Sequence, residues 1–467
     1  TGYIGKRLLI QLLEEGHDVV CSVRDQKRLS LKLYQNHLEK IQIIENDFLD
    51  EKSLQNIPQD IDFAYYLVHS MSSGSGNFSE KERISAENFR KALEKTSVKQ
   101  VVFLTGIINE EKLSEHLQSR KNVEQALKSE KYALTCLRAG IIVGSGSASF
   151  EIIRDLVEKL PIMVAPKWLK TKCQPIAIRN VIQFLTKVIG VEKTYNQNYD
   201  IASQDVLTYK EMLLQYAEVR GLKRWIFTVP VMTPKLSSYW LYFITSTTYS
   251  LAVNLVDSMK IDVIASQNSL ASDLGIHLFS YKEAINMAFD KIKQNDVLSS
   301  WYDSFTNQFH KRNVWQYLEV PEKGCFTDFR KMKVDDEELA LERVFSIGGK
   351  TGWYYANFLW KIRGFLDKLI GGVGLRRGRR NQNELEAGDS VDFWRVLYAN
   401  KEEKRLLLFA EMKVPGEAWL EFYIKNGELY QEATFRPLGL SGRLYWYSVL
   451  PFHGLIFNGM LRKLAGK

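Results

Sequence analysis

The chain has 467 residues, too many for one ordinary hydrophobic core, so two or three domains are expected. Hydrophobic residues make up 45% of it and charged residues 25%, which is the balance of a soluble globular protein. The formal net charge of +8 suits anionic small molecules or a membrane surface, and it does not indicate a nucleic-acid partner.

The spacing of cysteines and histidines predicts no metal site. The four cysteines are scattered without a CxxC pair, and the seven histidines show no HExxH spacing. Cys21 and Cys136 fall in apolar runs, which is typical of reduced, buried thiols in a cytoplasmic protein. Two uncharged stretches, 236–256 and 444–461, are interrupted by polar residues and are expected to be buried or surface-docked helices.

The chain opens on the residues TGYIG (1–5), which run directly into an amphipathic helix over 6–15. Glycines at such a turn let the backbone approach a pyrophosphate, and the helix N-terminus offers unpaired N–H groups to it. This nucleotide-binding pattern requires a strand before the turn. Since the sequence starts after that point, we interpret it as a fragment that lacks a short N-terminal strand, with no start methionine or targeting signal.

Strand-like and helix-like stretches alternate as far as residue 140. The strand-like runs are 18–23, 41–44, 62–69, 100–106 and 134–140. Helical patterns separate them, the longest over 79–95 and 114–128. This alternation predicts an α/β domain of the Rossmann type, a doubly wound parallel sheet covered by helices on both faces.

In such a sheet, ligands bind where the strands reach their carboxyl ends. Arg24, Asp47, His69 and Thr105 all lie at predicted strand ends, so we expect them to share one site. A guanidinium at the position of Arg24 suits the 2′-phosphate of NADP better than the 2′-hydroxyl of NAD. Because Asp25 follows directly, NAD stays possible, and Arg24 could instead be a solvated charge at a strand end.

Several stretches of the first 300 residues resemble an atypical short-chain dehydrogenase/reductase, and they are TGYIG, VRD, NDFLD, YYLVHSM, VVFLTG and LRAGIIVGSGSASFE. Within that family, the chain resembles the branch that contains NmrA-like regulators and the Rossmann-fold accessory subunit of respiratory complex I. The resemblance implies a cofactor turn of Gly2, Tyr3, Ile4 and Gly5, in which the two glycines line the pyrophosphate. It further implies that Arg24 contacts the adenosine ribose, that Asp47 and Phe48 flank the adenine, and that Leu67, Val68 and His69 border the nicotinamide ribose.

The sequence departs from this family at the proton-transfer helix. Active members carry Tyr-x-x-x-Lys there, in which tyrosine donates a proton and lysine lowers its pKa. This chain has His116 and Arg120 at those positions, and Thr105 near the position of the family's serine. Histidine titrates near neutral pH and can shuttle a proton, whereas arginine can hold a ribose or phosphate but is no tunable base. An exposed helix residue without catalytic role is an equally good interpretation of His116.

The region from about 200 to 300 is expected to be a small capping part over the substrate cleft. It is rich in aromatic residues, namely Tyr216, Trp225, Phe227, Tyr239, Trp240, Tyr242, Phe243 and Tyr249. Such residues usually form core, but if they line the cleft the substrate should be apolar. The first domain is therefore assigned to residues 1–300.

A second domain is predicted over residues 318–467. Strand-like runs at 326–334, 390–398, 405–413, 418–424 and 429–436 precede an amphipathic helix over 443–463 that Pro451 should bend. This order resembles an α+β helix-grip, START-like domain of unknown function that is often fused behind this reductase type. Five tryptophans could line a hydrophobic cavity or simply fill the core, and they are Trp353, Trp360, Trp394, Trp419 and Trp446.

Three functions follow from these patterns. The first is an NADP-dependent oxidoreductase that reduces a bulky apolar carbonyl, enone or quinone-like compound held partly by the C-terminal domain. The second is a protein that binds NADP without turnover and acts as a sensor or assembly factor. The third is a peripheral lipid-binding protein that contacts membranes through the basic run Arg376–Arg380, which could equally be a solvated loop. Substrate identity and oligomeric state do not follow from the sequence.

Overall fold

The computed structural model describes residues 2–24, 26, 29, 31–68, 78–108, 115–229, 237–239, 241, 252–253, 256–257, 259–293, 320, 325–349, 351–375, 384–437 and 439–467. These residues form two compact units, one up to residue 293 and one from residue 320. The domain boundaries predicted near 300 and 318 lie outside them and stay predictions. Among the helices described, none combines the length and the apolar character that crossing a membrane requires.

The first unit alternates helices and strands. Its helices are α1 (Tyr3–Glu14), α2 (Phe78–Leu93), α3 (Glu115–Ala126), α4 (Ala148–Lys159), α5 (Ile178–Lys187), α6 (Tyr209–Val219), α7 (Leu270–Asp273) and α8 (Tyr281–Lys293). Its strands are β1 (Val19–Val23), β2 (Ile41–Glu45), β3 (Phe63–Tyr66), β4 (Gln100–Gly106), β5 (Ala133–Ala139), β6 (Ile141–Val143), β7 (Ile162–Pro166), β8 (Lys172–Cys173), β9 (Pro175–Ala177), β10 (Asn198–Ile201), β11 (Leu207–Thr208) and β12 (Trp225–Val229).

The predicted parallel, doubly wound sheet is confirmed. Strands β3, β4, β5 and β10 form one parallel sheet in the order β10-β5-β4-β3, and β1 pairs in parallel with β2. Successive side chains of β4 pack on opposite faces, as the alternation of a strand requires. Val102 lies in a core with α1 and α5, whereas Val101 and Phe103 lie in a core with α2 and α3.

Three local expectations are corrected. Residues Leu31–Lys40 and Glu51–Asn56 form 3-10 helices, and the first is interrupted by non-helical backbone at Tyr34 and His37. Strand β3 ends at Tyr66, earlier than expected. Strand β7, which lies before the predicted capping region, pairs in parallel with β12, although 58 residues separate the two strands in the chain.

The second unit opens with a strand and two helices and ends with a long helix. Its strands are β13 (Phe326–Lys333), β14 (Ser390–Val391), β15 (Trp394–Asn400), β16 (Arg405–Ala410), β17 (Gly416–Lys425) and β18 (Glu428–Pro437). Its helices are α9 (Glu337–Phe345), α10 (Asn357–Leu369) and α11 (Gly439–Ala465).

The predicted antiparallel sheet and terminal helix are both present in this unit, and the START-like assignment stays a prediction. The strands form one antiparallel sheet in the order β13-β18-β17-β16-β15-β14, and α11 packs against β13 and β18. Asn426 and Gly427 both have positive φ, as the tight hairpin between β17 and β18 requires. Pro451 lies inside α11 as expected.

The tryptophans of this unit do not line one space. Trp353, Trp360 and Trp394 lie in the core between sheet and helices, and Trp446 stacks on Phe435. Trp419 belongs to a separate cluster with Leu397, Leu407 and Phe409. Its neighbours Leu420 and Ala418 face the main core, so the alternation of β17 turns Trp419 to the opposite face of the sheet.

A buried amide fixes the start of β4, the strand that carries Thr105. The Gln100 side chain is fully buried and donates to Thr135 Oγ1 at 2.8 Å and to the Val188 carbonyl at 3.2 Å. Its own oxygen accepts the Gly190 N–H at 2.9 Å. The Gln100 side chain thus joins three segments of the chain by hydrogen bonds. Its loss would leave their buried polar groups unsatisfied.

We therefore expect Gln100→Ala to lower the free energy of unfolding of the first unit by about 2–4 kcal/mol. Gln118→Ala is the matched control, because Gln118 is exposed and bonds only the neighbouring Asn122 in the described part of the chain. The control should change the free energy by less than about 0.5 kcal/mol in denaturant melts. Equal losses in the two variants would show that the buried network contributes nothing.

Candidate functional site

The carboxyl ends of the parallel strands meet at one edge of the first unit. Arg24 follows β1 directly, and the Asn46 N–H donates to the Val23 carbonyl at 2.8 Å, so the ends of β1 and β2 are tied together. The ring of Phe48, just beyond β2, stacks on Tyr66 at the end of β3 with centroids 6.2 Å apart. This edge therefore gathers the strand ends that the sequence predicts to share a site.

The N-terminus of α1 presents two open glycines. Gly2 is the N-cap in extended backbone, and the first helical hydrogen bond runs from the Lys6 N–H to its carbonyl at 3.1 Å. The N–H groups of the first turn therefore precede any helical acceptor. A Cβ built on Gly2 or Gly5 would meet no described atom within 4 Å. The space over this turn can admit a phosphate, which fits the predicted pyrophosphate turn.

Tyr3 can contact a phosphate at this turn only through its backbone, because its side chain points towards the 144–147 loop. The hydroxyl lies against Gly144, where a Cβ would come within 2.8 Å of it. Burial raises the pKa of Tyr3 to about 12, and the Arg7 guanidinium, 4.0 Å from the ring centroid, opposes that rise. Arg7 also donates to the Ser145 carbonyl at 3.0 Å. The side chains of Tyr3 and Arg7 thus fasten the turn to the 144–147 loop. Ile4 packs against the α1–α5 core.

The residues predicted to contact the adenine and the nicotinamide ribose differ in exposure: some are open to solvent and others are packed in the core. Asp47 is exposed, and its carboxylate accepts the Leu49 N–H at 3.1 Å, which shapes its own turn. Phe48 packs on Phe89 with centroids 5.3 Å apart, so its ring belongs mainly to the core. Leu67 and Val68 follow β3 and are partly buried. His69 falls outside the described residues, and its predicted role stays a prediction.

Thr105 and the Arg120 guanidinium both lie near the carboxyl end of β4. Thr105 is buried, and its hydroxyl has no hydrogen-bond partner in the described structure. By the alternation of β4 it shares the face of Val101 and Phe103, the side on which α3 packs. The Arg120 guanidinium lies over Gly106, where a Cβ would overlap Nη1. The predicted catalytic roles of Thr105 and Arg120 stay predictions, and sequence analysis did not foresee the contact of Arg120 with Gly106.

Two buried carboxylates hold α3 in this place. Glu82 of α2 accepts a hydrogen bond from Ser119 Oγ at 2.7 Å, and both side chains are buried. Burial lowers the pKa of the Arg120 guanidinium, and the charge of Glu82 opposes that effect. Further along α3, Glu124 takes a bidentate pair of bonds from Arg138 of β5, at 2.8 and 3.0 Å. Sequence analysis missed Glu82, Ser119 and Glu124, because helical periodicity does not reveal buried polar partners.

His116 lies on α3 one turn before Arg120. The i, i+4 spacing places the two residues on one face of the helix. The His116 side chain itself lies outside what the structure describes. Its proton-transfer role stays a prediction, whereas the placement of Arg120 beside the end of β4 rests on described contacts.

Comparisons with known proteins support the nucleotide-binding interpretation. Residues 1–152 match a family described as NAD(P)H-binding, and residues 322–460 match one described as a protein of unknown function (DUF2867). The first region is an NAD(P)H-binding domain of the Rossmann type. The predicted pyridine dinucleotide cofactor is thereby confirmed at the level of NAD(P).

Other proteins resemble parts of the chain. A probable translation initiation factor IF-2 from Pyrococcus abyssi is 29% identical over 126 residues, covering 22% of this chain and 13% of that protein, so the chain spans about an eighth of its length. A nucleoside-diphosphate-sugar epimerase from Staphylococcus aureus is 13% identical, covering 61% of this chain and 96% of that chain with a TM-score of 0.49. Triphenylmethane reductase from Citrobacter sp., complexed with NADP(H), is 17% identical, covering 62% and 97% with a TM-score of 0.49. Likenesses at this level carry no inference about activity.

The open space at Gly2 gives a direct test of dinucleotide binding. We expect Gly2→Ala to weaken NADPH binding by about tenfold or more, because the added methyl group occupies the approach to the pyrophosphate. The cost to helix capping should stay below about 1 kcal/mol. Gly454→Ala is the control, since Gly454 is equally open and lies in the second unit. Titration calorimetry that finds equal dissociation constants for both variants would contradict the assignment.

Proposed function

We propose that this protein is an NADP-dependent reductase that acts on a bulky apolar carbonyl, enone or quinone-like compound. The observation that carries the proposal is the buried Thr105 hydroxyl without a described partner, one residue before the Gly106 that the Arg120 guanidinium covers. Buried polar groups are normally satisfied, so a hydroxyl of this kind at a cofactor edge suits a substrate oxygen. A positive charge beside it favours the negative charge that develops on that oxygen during reduction.

Bound NADPH would supply the hydride for this reaction. The chain would supply the rest of the site: Thr105 donates a hydrogen bond to the substrate oxygen, and Arg120 stabilises the charge on it. His116, one turn away on the same helix face, delivers the proton. The imidazole replaces the tyrosine that the related enzymes use, and the guanidinium replaces their lysine.

The capping region supports an apolar substrate. Ile162 and Val164 of β7 pair directly across from Trp225 and Phe227 of β12, and all four side chains are more than half exposed. A cluster of large exposed apolar groups is unusual on a surface that faces only water. Tyr216, by contrast, is fully buried and packs at a steep angle against the rings of Phe150 and Phe289, so the aromatic residues of this region have two different roles.

The second unit is proposed to bind an apolar ligand of the same chemical class. Gln431 of β18 is fully buried, and neither atom of its amide has a partner among the described residues. The indole N–H groups of Trp360 and Trp394 are likewise buried and without a hydrogen-bond partner among the described residues. Three unsatisfied polar side chains inside one helix-grip unit suit a mainly apolar ligand that carries a few polar atoms.

Arg24 supports NADP over NAD within this proposal. Its exposed guanidinium follows β1, where the 2′-phosphate of the adenosine ribose is expected. We expect Arg24→Ala to weaken NADPH binding by about tenfold or more and to leave NADH binding nearly unchanged. Lys99→Ala removes the same charge at the amino end of β4 and should affect neither cofactor. Parallel losses for NADPH and NADH in Arg24→Ala would refute the assignment of the 2′-phosphate.

The reductase proposal is tested by NADPH consumption with a panel of apolar ketones, enones and quinones. His116→Ala should lower kcat by about a hundredfold, because the proton donor is removed, while NADPH affinity is retained. Gln118→Ala, two residues along the same helix on its exposed side, should leave kcat unchanged.

A second candidate function is specifically favoured by the replacement of Tyr-x-x-x-Lys with His116 and Arg120. Loss of both usual proton-transfer groups suits a protein that binds NADP without turnover and signals its level to a partner. If the whole panel gives no NADPH consumption while micromolar-range NADPH binding persists, the sensor becomes the better account.

A further inference from the structure

Helix α10 exposes an almost continuous apolar face. Six large side chains are each between 51% and 64% exposed, and they are Phe358, Ile362, Phe365, Leu366, Leu369 and Ile370. Their spacing of three and four residues puts them on one side of the helix and at its end. The opposite side is buried through Trp360, Gly364 and Asp367. A helix that buries one face and leaves apolar groups on the other is unusual for a surface in contact with water alone.

Helix α11 repeats this feature in its first half. Leu440, Leu444, Tyr447, Phe452 and Leu455 are each more than half exposed. Trp446, Phe457 and Met460 of the same helix are buried. Both helices therefore have an inner side that packs in the unit and an outer side that is apolar and uncovered in the described structure.

The two helices contact each other through side chains of their inner sides. The rings of Trp360 and Phe457 stack with centroids 6.5 Å apart, and the Arg363 guanidinium lies 5.2 Å from the centre of the Tyr445 ring. Trp360 and Phe457 also belong to the core formed with the sheet residues of β16 and β17. The inner sides of α10 and α11 thus face the sheet together, so their outer sides turn away from it.

The same segments hold the excess positive charge of the chain. Residues 356–381 and 439–467 contain 11 of the 63 lysines and arginines but only one of the 55 acidic residues. They therefore carry a formal charge of +10, whereas the rest of the chain carries −2. The single acid, Asp367, is buried and accepts the N–H groups of Gly374 at 2.8 Å and Lys413 at 2.7 Å.

We propose that the outer faces of α10 and α11 dock this protein onto the surface of an anionic phospholipid membrane. The occupant of this surface must be apolar and negatively charged at once. Anionic lipids meet both conditions, because acyl chains accept the apolar groups while headgroups attract the surrounding lysines and arginines. A second copy of the chain fits less well, since the rest of the chain carries a formal charge of only −2. The four arginines of 376–380 contribute charge by sequence, and their structure lies outside the described residues.

The experiment is flotation of the full chain with vesicles made of phosphatidylglycerol and phosphatidylcholine in equal parts, against vesicles of phosphatidylcholine alone. The protein should bind the anionic vesicles, and binding should fall by about tenfold when salt rises from about 0.1 M to about 0.5 M. Phe358→Ser combined with Phe365→Ser should lower the bound fraction by about tenfold or more, because two apolar contacts with the acyl region are lost. Replacing Arg376, Arg377, Arg379 and Arg380 by alanine should reduce both binding and its salt dependence.

Phe329→Ser is the matched control. Phe329 is 52% exposed in the same unit, but it lies on β13, outside both helices. This variant should bind vesicles like the unchanged protein, and the serine variants should keep the same thermal transition because Phe329, Phe358 and Phe365 are exposed. Failure of the unchanged protein to bind anionic vesicles would overturn the proposal. So would equal binding of the helix variant and the control, or a dimer in sedimentation experiments that only the helix variant dissociates.

Discussion

The candidate site depends on how a polar helix is held against the sheet. Helix α3 has few apolar residues, so burial of Val123 alone does not fix its position. Two carboxylates do so, Glu82 through Ser119 and Arg120, and Glu124 through Arg138. Removing one partner of a buried ion pair commonly costs about 3–5 kcal/mol, because the other charge is left without compensation. The helix is thus fixed in position, and the Arg120 guanidinium is kept over Gly106 at the carboxyl end of β4.

This arrangement also explains why arginine is tolerated where related enzymes have lysine. A lysine works by tuning the pKa of a tyrosine, and this chain has no tyrosine at the matching position. Arg120 stays charged, since burial lowers its pKa from a very high starting value and Glu82 opposes the change. A permanent cation can stabilise a developing oxyanion, but it cannot donate the proton. In the proposed reduction the proton must then come from another group, and His116 is the residue that we propose for it.

Sequence patterns predicted the regular part of the fold and little of its polar interior. The run 100–106 is β-branched and apolar, so its identity as a buried parallel strand followed from local residues. The pairing of β7 with β12 did not, because neither short run indicates a partner so far along the chain. The bonds of Glu82 and Gln100 join segments that are distant in sequence, and periodicity carries no signal for them. The face of Trp419 could have been predicted, since alternation with Leu420 fixes it.

The proposed reduction and the proposed membrane docking depend on different residues, so either could be present without the other. Together they would place the reductase where its apolar substrate is most concentrated. The chemistry is assigned to β4 and α3 of the first unit, and the docking surface to α10 and α11 of the second. A bulky apolar carbonyl or quinone-like compound partitions into lipid, so its concentration is highest at the membrane. A protein attached to that surface meets its substrate there, whatever the placement of its two units. Docking without turnover would still suit a sensor, and turnover without docking would still suit a reductase, so neither result decides the other.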